Sequence, residues 1–594
     1  MKLIKNLNRP LIIILLLALA VRFIGLTWCF PFTPHPDEFN MALAITRLNW
    51  GEKLNPQFYA YGQFPLYLSY FSATVYNQSP WIGIKQISVS EAIFFLRFWS
   101  AIAGIGTVYL VYLISNKLLS PSSLNSRRLP SLPSFPYYPY LPYVSALLTA
   151  FTPGLIQISH FGTTESLLSF FFLFILFLSL KISEEPNIKY FIFSGIVLGL
   201  ALGTKISALT FLTPLGMSLL TILIRKLKKK NKPSKKIKFL SVLVGKFIIT
   251  LGVSSLLAIL TSPYLLLAFK ESRGTLMYEI SVANGTSPVF YTRQFLETTP
   301  ILFQLQKIFP YTLGWPIFIL GIGGLLITLI TLISLISHIP LKKNLLPALS
   351  YFVIIIFSFL FYFFSQAFLF CKWTRFMAPI FAFFPIFAVM ALSYLRNLRY
   401  LSNLLVFLMV IPGIIFASIY FRPDIRFTAS KWIYQNIPSG SKILYDTGNV
   451  VDIPILPPKN VFTGRSFLGG WPNYSTVSFD FYHLDEDPKL QPLLKKAIIG
   501  ADYIFIPSRR IFKNHMRFPE KFPKTNQYYE NLFSGKLGFE EIKIFHPFSF
   551  LGQPLSSIFN DENTEETFSV FDHPVIRIYK KTKSFNENSL ETLF

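Results

Sequence analysis

Two adjacent carboxylates, Asp37 and Glu38, are the residues whose types and position most directly indicate chemistry. They follow an apolar stretch, 10–30, that is long enough to cross a bilayer. Charge at a membrane boundary is costly unless water, a partner or a substrate receives it. A carboxylate in such a position can act as a general base or can hold a sugar. The pair is therefore our candidate for the centre of an active site.

Further ionisable side chains fall at the predicted outer ends of apolar segments, in one plane of the membrane. Arginine and lysine there can hold a phosphate through charge-assisted hydrogen bonds. A lone basic residue at such a boundary often only extends its charge to the interface or forms a structural ion pair. A mixture of acids and bases gathered on one side favours a functional site instead. The candidates beyond the acidic pair are Arg22, Arg97, His160, Glu165, Lys205, Lys372 and Arg375.

The composition is that of a membrane protein. Apolar residues make up 52% of the chain and charged residues only 14%, with a mean hydropathy of +0.48. The net charge of +26 is unevenly distributed, because residues 1–420 hold 34 Lys and Arg against 10 acids, whereas 421–594 hold 21 against 19. The excess lies in short loops between apolar segments, so it indicates membrane topology and not a nucleic-acid partner.

Clusters of basic residues set the predicted orientation. The run 225–238 holds nine basic residues and no acid, and we place it in the cytoplasm. Counting the apolar segments in both directions from this run predicts a polytopic helical bundle of about eleven transmembrane helices with its N-terminus inside. The first span has no small-x-small cleavage site and is interpreted as uncleaved. The predicted spans are 10–28, 90–118, 140–158, 165–181, 189–205, 206–224, 239–262, 311–336, 345–369, 376–395 and 401–420. Basic residues in the other predicted inner loops are Lys117, Arg127, Arg128, Lys181, Lys189, Lys342, Lys343, Arg396 and Arg399.

Two predicted outer loops, 29–89 and 263–310, are long enough to form lids or binding elements. The first contains an amphipathic-looking segment that predicts a helix over 41–50. Three asparagine-glycosylation sequons, at Asn77, Asn284 and Asn473, fall on the predicted outer side. They matter only if the host glycosylates asparagine.

From residue 421 onward the composition predicts a small extracytoplasmic α/β domain. Residues 429–436 predict a short helix that ends at a Pro and a Gly. The acidic run 483–487 can be a calcium site or, as we prefer, a solvated loop. The β-rich runs are 442–445, 503–506 and 575–579.

The chain has two cysteines, Cys29 and Cys371, too few for a disulfide framework or a cysteine zinc site. Both fall at predicted outer ends of spans, so a bridge between them is possible. We favour the interpretation that the two cysteines are unrelated apolar residues.

Short motifs occur in one order along the chain, and their order is more specific than any one of them. They are Arg22 with His35-Pro-Asp-Glu38, Leu96-Arg-Phe-Trp-Ser-Ala-Ile-Ala-Gly104, Ser159-His-Phe-Gly-Thr-Thr-Glu165, Gly195-Ile-Val-Leu-Gly-Leu-Ala-Leu-Gly-Thr-Lys205, Cys371-Lys-Trp-Thr-Arg-Phe-Met-Ala-Pro379, Ala429-Ser-Lys-Trp-Ile-Tyr434 and Phe571-Asp-His-Pro574. On these residues, which are spread over most of its length, the chain resembles the GT-C glycosyltransferases of the protein-O-mannosyltransferase and aminoarabinose-transferase group. These are polytopic enzymes that use a polyprenyl-phosphate sugar at the outer membrane face.

The resemblance implies that Asp37 is the catalytic base. It would deprotonate the acceptor hydroxyl as that group attacks the anomeric carbon opposite the phosphate, so the configuration would invert. One carboxylate suffices because the leaving phosphate needs no proton, whereas glycoside hydrolases need a spaced carboxyl pair. Glu38 cannot duplicate this role, because adjacent side chains diverge, and it would instead anchor the loop or a sugar hydroxyl.

The resemblance also divides the remaining candidates by charge. Glu165 matches the second acidic position of the family, although many relatives have aspartate there. The residues implied to contact acceptor or sugar are His35, His160 and Glu165. The residues implied to neutralise the donor phosphate are Arg97, Lys205, Lys372 and Arg375.

A metal is not implied by the resemblance. His35, Asp37 and Glu38 can form a divalent-metal site, as in some GT-C oligosaccharyltransferases, so that alternative stays open. The loop 263–310 is too short for the soluble domain inserted in eukaryotic protein mannosyltransferases, so a protein acceptor is not implied either.

The sequence therefore predicts an inverting, multi-pass glycosyltransferase of the plasma membrane, acting on its outer face. Its donor would be a polyprenyl-phosphate-linked hexose, mannose-like sugar or pentose, and its acceptor a glycan, lipid or protein. A transporter or flippase of lipid-linked sugars is the alternative. Such a protein would also gather cations near a phosphate, but it has no need of the acidic pair, and the chain lacks two matching halves. A non-catalytic assembly protein is a third possibility.

Overall fold

The computed structural model describes residues 8–77, 86–119, 139–227, 233–338, 346–395, 398–446, 451–455, 474–550, 553–554 and 560–587. Predictions that concern Arg127, Arg128, Lys342, Lys343, Arg396, Asn473 and part of the basic run 225–238 lie outside these residues. The chain divides into two compact units. Unit 1 comprises Met1–Leu26, Asn40–Asn284 and Thr299–Ala417, and unit 2 comprises Thr27–Phe39, Gly285–Thr298 and Ser418–Phe594. The acidic pair thus groups with the C-terminal residues by contact.

Unit 1 is helical, because an apolar segment in a bilayer must satisfy its backbone hydrogen bonds internally. Among the described residues, seven helices are long and apolar enough to cross a membrane, or up to nine if each of two bent pairs is one span. Each of the eleven predicted spans coincides with a helix or a bent pair, but two of these helices have only 15 residues. The helices up to residue 417 are α1 (Arg9–Phe23), α2 (Pro36–Thr46), α3 (Phe64–Asn77), α4 (Val89–Leu118), α5 (Leu141–Ala150), α6 (Pro153–His160), α7 (Glu165–Glu184), α8 (Ile188–Leu202), α9 (Leu212–Leu227), α10 (Pro233–Thr261), α11 (Tyr264–Leu267), α12 (Phe269–Asn284), α13 (Phe309–Leu313), α14 (Trp315–His338), α15 (Leu346–Ala367), α16 (Thr374–Phe381), α17 (Phe383–Tyr394) and α18 (Arg399–Ala417).

Prolines accompany both bends. α5 and α6 meet at 51°, and Pro153 is the first residue of α6. A proline at the first position of a helix costs no hydrogen bond, because the N–H that it lacks would have no partner within the helix. It also disfavours the helical conformation of the residue before it, so the two helices cannot continue into each other. α16 and α17 meet at 48°, with Pro379 inside α16. Of the predicted site residues, His160 is the last residue of α6 and Arg375 lies in the first turn of α16.

The two predicted outer loops are more helical than expected. The predicted helix over 41–50 is wrong in its bounds, because α2 begins at Pro36, where proline suits the first helical position. The stretch 263–310 contains α11, α12, a 3₁₀ helix (Phe290–Phe295) and a π-helix (Gln304–Ile308).

Unit 2 is an α/β domain. Its five-stranded sheet has the order β2-β1-β3-β7-β4, with β2, β1 and β3 parallel and β7 antiparallel to β3 and β4. The strands are β1 (Lys442–Asp446), β2 (Ser475–Phe479), β3 (Tyr503–Ile506), β4 (Phe539–Phe545), the short pair β5 (Ser549–Phe550) and β6 (Gln553–Pro554), and β7 (Ile576–Lys581). The helices are α19 (Ile425–Asn436), α20 (Leu490–Gly500), α21 (Phe512–His515), α22 (Pro523–Phe533) and α23 (Glu566–Ser569).

Alternation along the strands builds two apolar layers, because successive side chains of a strand point to opposite faces. Ile443 and Phe505 pack with α19 on one face, and Leu444 and Ile504 pack with α20 and α22 on the other. The predicted strands are confirmed as β1, β3 and β7. The predicted helix at 429–436 is longer, since the side chain of Asp424 caps it further upstream.

Candidate functional site

The acidic pair lies in the first turn of α2. The His35 carbonyl accepts from the Phe39 N–H (3.2 Å), and its ring Nδ1 accepts from the Asp37 backbone N–H (3.2 Å). His35 therefore caps the helix, and the helix dipole favours carboxylates in this turn. Glu38 is fully buried, whereas Asp37 is only half-buried. Asp37 is thus the carboxylate of the pair that a substrate can reach.

Aromatic rings hold the segment that precedes α2 within unit 2. Three rings of the segment each meet a ring contributed by the C-terminal part of the chain. The ring centroids are 4.6 Å apart for His35 and Phe571, 6.0 Å for Phe32 and Phe427, and 5.5 Å for Trp28 and Tyr420. Such aromatic pairs stabilise beyond their buried area, by about 0.5–1.5 kcal/mol each.

A buried ion pair lies beside these rings. Arg426 contacts the Asp424 carboxylate at 2.8 Å and donates to the carbonyls of Val570 (2.8 Å) and Phe571 (3.2 Å). Burial raises the pKa of Asp424, while Arg426 and a hydrogen bond from the Cys29 thiol oppose the rise. Cys29 has a φ of 65°, which is costly for a residue other than glycine and persists only where the surroundings impose it. The pair therefore ties Thr27–Phe39, which we call the acidic segment, to the C-terminal residues through Cys29 and through Phe571, whose ring contacts His35.

In unit 1, the predicted site residues Glu165 and Lys205 meet directly. The Lys205 ammonium lies 3.4 Å from the Glu165 carboxylate, which is buried. It also lies 4.8 Å from the Tyr61 ring centroid and 5.6 Å from that of Phe376. Burial raises the pKa of Glu279 on α12, and the nearby charge of Lys205 opposes this. The Lys205 ammonium therefore has two acids and two aromatic rings in its surroundings.

Backbone pairing positions Lys205. The N–H of Gly62 donates to the Thr204 carbonyl (2.9 Å), and the N–H of Phe64 donates to the Gly203 carbonyl (3.0 Å). A Cβ on Gly62 would lie 2.0 Å from the Gly203 oxygen, so only glycine allows this approach. The aromatic part of the first outer loop is thus joined to the residues just before Lys205.

Arg22 stabilises the bend between α5 and α6. It is fully buried and donates to the carbonyls of Ala150 (3.1 Å) and Thr149 (3.3 Å) in the last turn of α5. A Cβ on Gly104 would lie 2.7 Å from its Nε, so that glycine provides the space for the guanidinium. These contacts indicate a structural role.

Arg97 and His160 also contact backbone carbonyls. Arg97 is fully buried and donates to the Leu26 carbonyl at 3.0 Å. The His160 Nδ1 lies 2.9 Å from the Ile156 carbonyl, and its Nε2 lies 3.0 Å from that of Ile24. Both residues hold the chain that follows α1, which is a positioning task.

Lys372 and Arg375 flank the start of α16. The Lys372 ammonium donates to the Phe370 carbonyl (3.0 Å), and burial lowers the pKa of this lysine. The Arg375 guanidinium lies 4.8 Å from the Trp373 ring centroid and is half-buried. The sequence singled out both cations, but not the aromatic partner.

The structure thus sorts the predicted site residues. It brings Glu165 and Lys205 together, and it joins His35 to Asp37 through the helix cap. Sequence reasoning missed Tyr61, Arg426 and the role of Phe571. The motif at 571–574 is visible in the sequence, but its contact with His35 is not.

In the described ranges, no group of three or more His, Cys, Asp or Glu side chains is arranged so that it could hold a metal ion. Cys29 and Cys371 are both buried thiols that are not joined in a disulfide. The acidic run 483–487 makes hydrogen bonds to neighbouring backbone groups. For example, Asp485 accepts from the backbone N–H groups of Lys524 (2.6 Å) and Thr525 (3.1 Å) at the start of α22.

Residues 137–255 match the family model of dolichyl-phosphate-mannose-protein mannosyltransferases. No curated protein matches the chain significantly in sequence. Similar solved structures include the Archaeoglobus fulgidus oligosaccharyltransferase with Zn and sulfate, at 12% identity, covering 88% of this chain and 71% of that chain, with a TM-score of 0.46. ArnT from Cupriavidus metallidurans bound to undecaprenyl phosphate has 12% identity, coverages of 95% and 97%, and a TM-score of 0.39. The S. cerevisiae protein O-mannosyltransferase complex bound to the sugar donor has 19% identity, coverages of 45% and 34%, and a TM-score of 0.32. The family match contains His160, Glu165 and Lys205, and it confirms the predicted resemblance to the protein-O-mannosyltransferase group.

Proposed function

We propose that the chain is a membrane glycosyltransferase that transfers a monosaccharide from a polyprenyl-phosphate-linked donor to an acceptor outside the cytoplasm. The observation that carries this proposal is the acidic pair in the first turn of α2, with Asp37 reachable and Glu38 buried. The match of 137–255 to a mannosyltransferase family model supports it.

Asp37 is the proposed general base. It takes the proton of the acceptor hydroxyl while the hydroxyl oxygen forms a bond to the anomeric carbon. The bond from that carbon to the phosphate oxygen breaks on the opposite face, so the configuration inverts. The lipid phosphate leaves as an anion and needs no general acid. Glu38 anchors the turn, since its complete burial keeps it from a substrate.

Lys205 is the proposed main cation for the donor phosphate. Its ammonium is held by a buried carboxylate and flanked by the rings of Tyr61 and Phe376, which suit an aromatic contact with a sugar. Arg375 and Lys372 supply further positive charge at the start of α16. Arg97, His160 and His35 act by positioning the backbone, since each contacts a backbone group.

We further propose that residues 1–420 form the catalytic membrane domain and 421–594 an extracytoplasmic domain. With the proposed eleven spans and the N-terminus inside, the charged site residues would lie on the outer face of the plasma membrane. The basic run 225–238 supports this orientation.

The decisive experiment is a transfer assay with purified protein and labelled polyprenyl-phosphate hexoses, comparing wild type with Asp37→Asn. Loss of the base should lower turnover by about 10²–10⁴-fold, while donor binding is retained. Glu52→Gln, a change at an exposed acid of the same loop, should transfer like wild type. Equal activity of the wild type and Asp37→Asn contradicts the mechanism. Donor binding without any transfer by the wild type would favour a flippase.

A further inference from the structure

Unit 2 contains a groove between α19, the end of β4 and residues 419–425. Its volume is about 640 Å³, within the range of about 300–1,000 Å³ typical of small-molecule sites. We call it the Trp432 groove. The lining side chains that matter for its chemistry are Thr428, Lys431, Trp432, Gln435, Lys543 and His546.

One face of α19 is exposed to this groove. The lining residues of the helix lie at positions i, i+3, i+4 and i+7, which is the spacing of a single helix face. The opposite face is already used, because Ala429 and Ile433 pack against the sheet. Trp432 contacts the Phe545 ring edge to face, at 5.9 Å between centroids. The groove therefore has an aromatic wall with an amide and a hydroxyl beside it, a combination that suits a saccharide.

The rim of the groove is positively charged. Lys431 and Lys543 are both exposed, and Arg422 lies on the same lining. Over the described ranges of the chain, neither Lys431 nor Lys543 forms an ion pair; the Lys543 ammonium lies only near the Phe545 ring, at 5.8 Å.

The two acids on the inner wall each contact a buried cation, which offsets part of their negative charge. Asp424 is paired with Arg426. Asp572 contacts His573, which also contacts Asp561. Burial alone lowers the pKa of His573, but the two carboxylates outweigh it and raise the pKa to about 10, so the ring is cationic at neutral pH.

The inner wall also touches the acidic segment. Asp424 accepts a hydrogen bond from Cys29. Asp572 directly follows Phe571, whose ring lies on His35, the cap of the helix that carries Asp37. A ligand in the groove therefore lies against Asp424 and Asp572, which are bonded or adjacent to residues that hold the acidic segment.

We propose that the Trp432 groove binds an anionic saccharide, one that carries a phosphate or carboxylate group, and that this saccharide is the acceptor. The two lysines contact the anion through charge-assisted hydrogen bonds, and Trp432 packs on the sugar ring. The identification as acceptor rests on the proposed transferase function, whereas the binding site itself does not.

The test is a binding measurement with purified full-length protein in a neutral detergent. The probes are a mannose oligosaccharide with a 6-phosphate and the same oligosaccharide without it, both carrying an uncharged fluorophore, and the readout is fluorescence anisotropy. The test variant is Lys431→Gln with Lys543→Gln. The matched control is Lys489→Gln with Lys496→Gln, two exposed lysines at α20 that lie outside the groove.

We expect the phosphorylated probe to bind wild type, and the test variant to bind it at least about tenfold more weakly, since a lost charged hydrogen bond has about this effect. The control variant and Asp37→Asn should bind the phosphorylated probe as tightly as wild type does. Wild type should bind the neutral probe weakly, with about the affinity that the test variant has for the phosphorylated probe. Retained binding in Asp37→Asn separates this result from the outcome of the transfer assay.

Three outcomes would overturn the proposal. The first is equal binding of the two probes or no binding of either, and the second is equal loss in the test and control variants. The third is full competition by phosphatidylglycerol vesicles but none by free phosphorylated mannose, which would assign the groove to a membrane surface instead.

Discussion

Arg426→Met should release the acidic segment, Thr27–Phe39, from the C-terminal residues of unit 2. In the folded protein the Arg426 guanidinium pairs with the fully buried Asp424 and donates to the carbonyls of Val570 and Phe571. Methionine has a similar length and fills most of the volume, but it provides no donor. The change therefore leaves one carboxylate without its cation and two carbonyls without this donor.

The magnitude follows from these contacts. Removing one partner of a buried ion pair costs about 3–5 kcal/mol. Part of this cost is relieved when Asp424 takes up a proton, because burial already raises its pKa and the opposing cation is gone. We expect a net local loss of about 3 kcal/mol, equivalent to roughly a hundredfold more of the open state.

Cys29 provides a local assay for this opening. Its thiol is buried and donates to Asp424, so it becomes reactive only when the segment opens. In a Cys371→Ser background it is the one remaining cysteine of the chain. When closing is faster than modification, the maleimide labelling rate follows the open population, so Arg426→Met should label about a hundredfold faster.

Two controls separate this effect from general damage. Lys431→Met alters an exposed residue of the same helix and should leave the Cys29 labelling rate unchanged. Adding Asp424→Asn to Arg426→Met removes the stranded charge and should recover part of the loss. Labelling of Arg426→Met at the wild-type rate, or no recovery in the double variant, would refute the reasoning.

Three further changes have defined outcomes. Gly62→Ala should lower transfer strongly, because its Cβ would lie 2.0 Å from the Gly203 carbonyl oxygen and displace the residues just before Lys205. The control Gly252→Ala should not lower transfer, because no neighbouring group lies within 4 Å of a Cβ at that position. Equal activities of the two variants would contradict the role of the backbone pairing between residues 62–64 and 203–204. Lys205→Gln should raise the KM for the donor by about tenfold or more through loss of a cation, and an unchanged KM would exclude it from phosphate binding. Burial raises the pKa of Asp446 from 3.8 to about 8, so its contribution to stability is complete below pH 3.8 and is lost as the pH rises through 8. Asp446→Asn should therefore gain stability relative to wild type by up to about 1.4 kcal/mol per pH unit between these limits, and thermal unfolding at pH 5 and pH 8 checks this.

Much of unit 1 could be predicted, because local composition decides it. Each predicted span corresponds to a helix or bent pair, since an apolar run in a bilayer has few alternatives to a helix. The start of α2 was not predicted, although Pro36 and the capping His35 are local signals that indicate it. The orientation and the number of spans stay predictions.

The sequence by itself determined which residues carry charge near the membrane boundary, and it singled out Asp37 and Glu38 from their types and their place after an apolar run. Only the tertiary structure decided the burial and the neighbours of these residues. It buried Glu38, paired Glu165 with Lys205, and placed Phe571 on His35. These outcomes depend on contacts between residues far apart in the chain, which local periodicity does not encode. Burial and pairing set the energy of a charge, so the role of each site residue follows from its neighbours and not from its type.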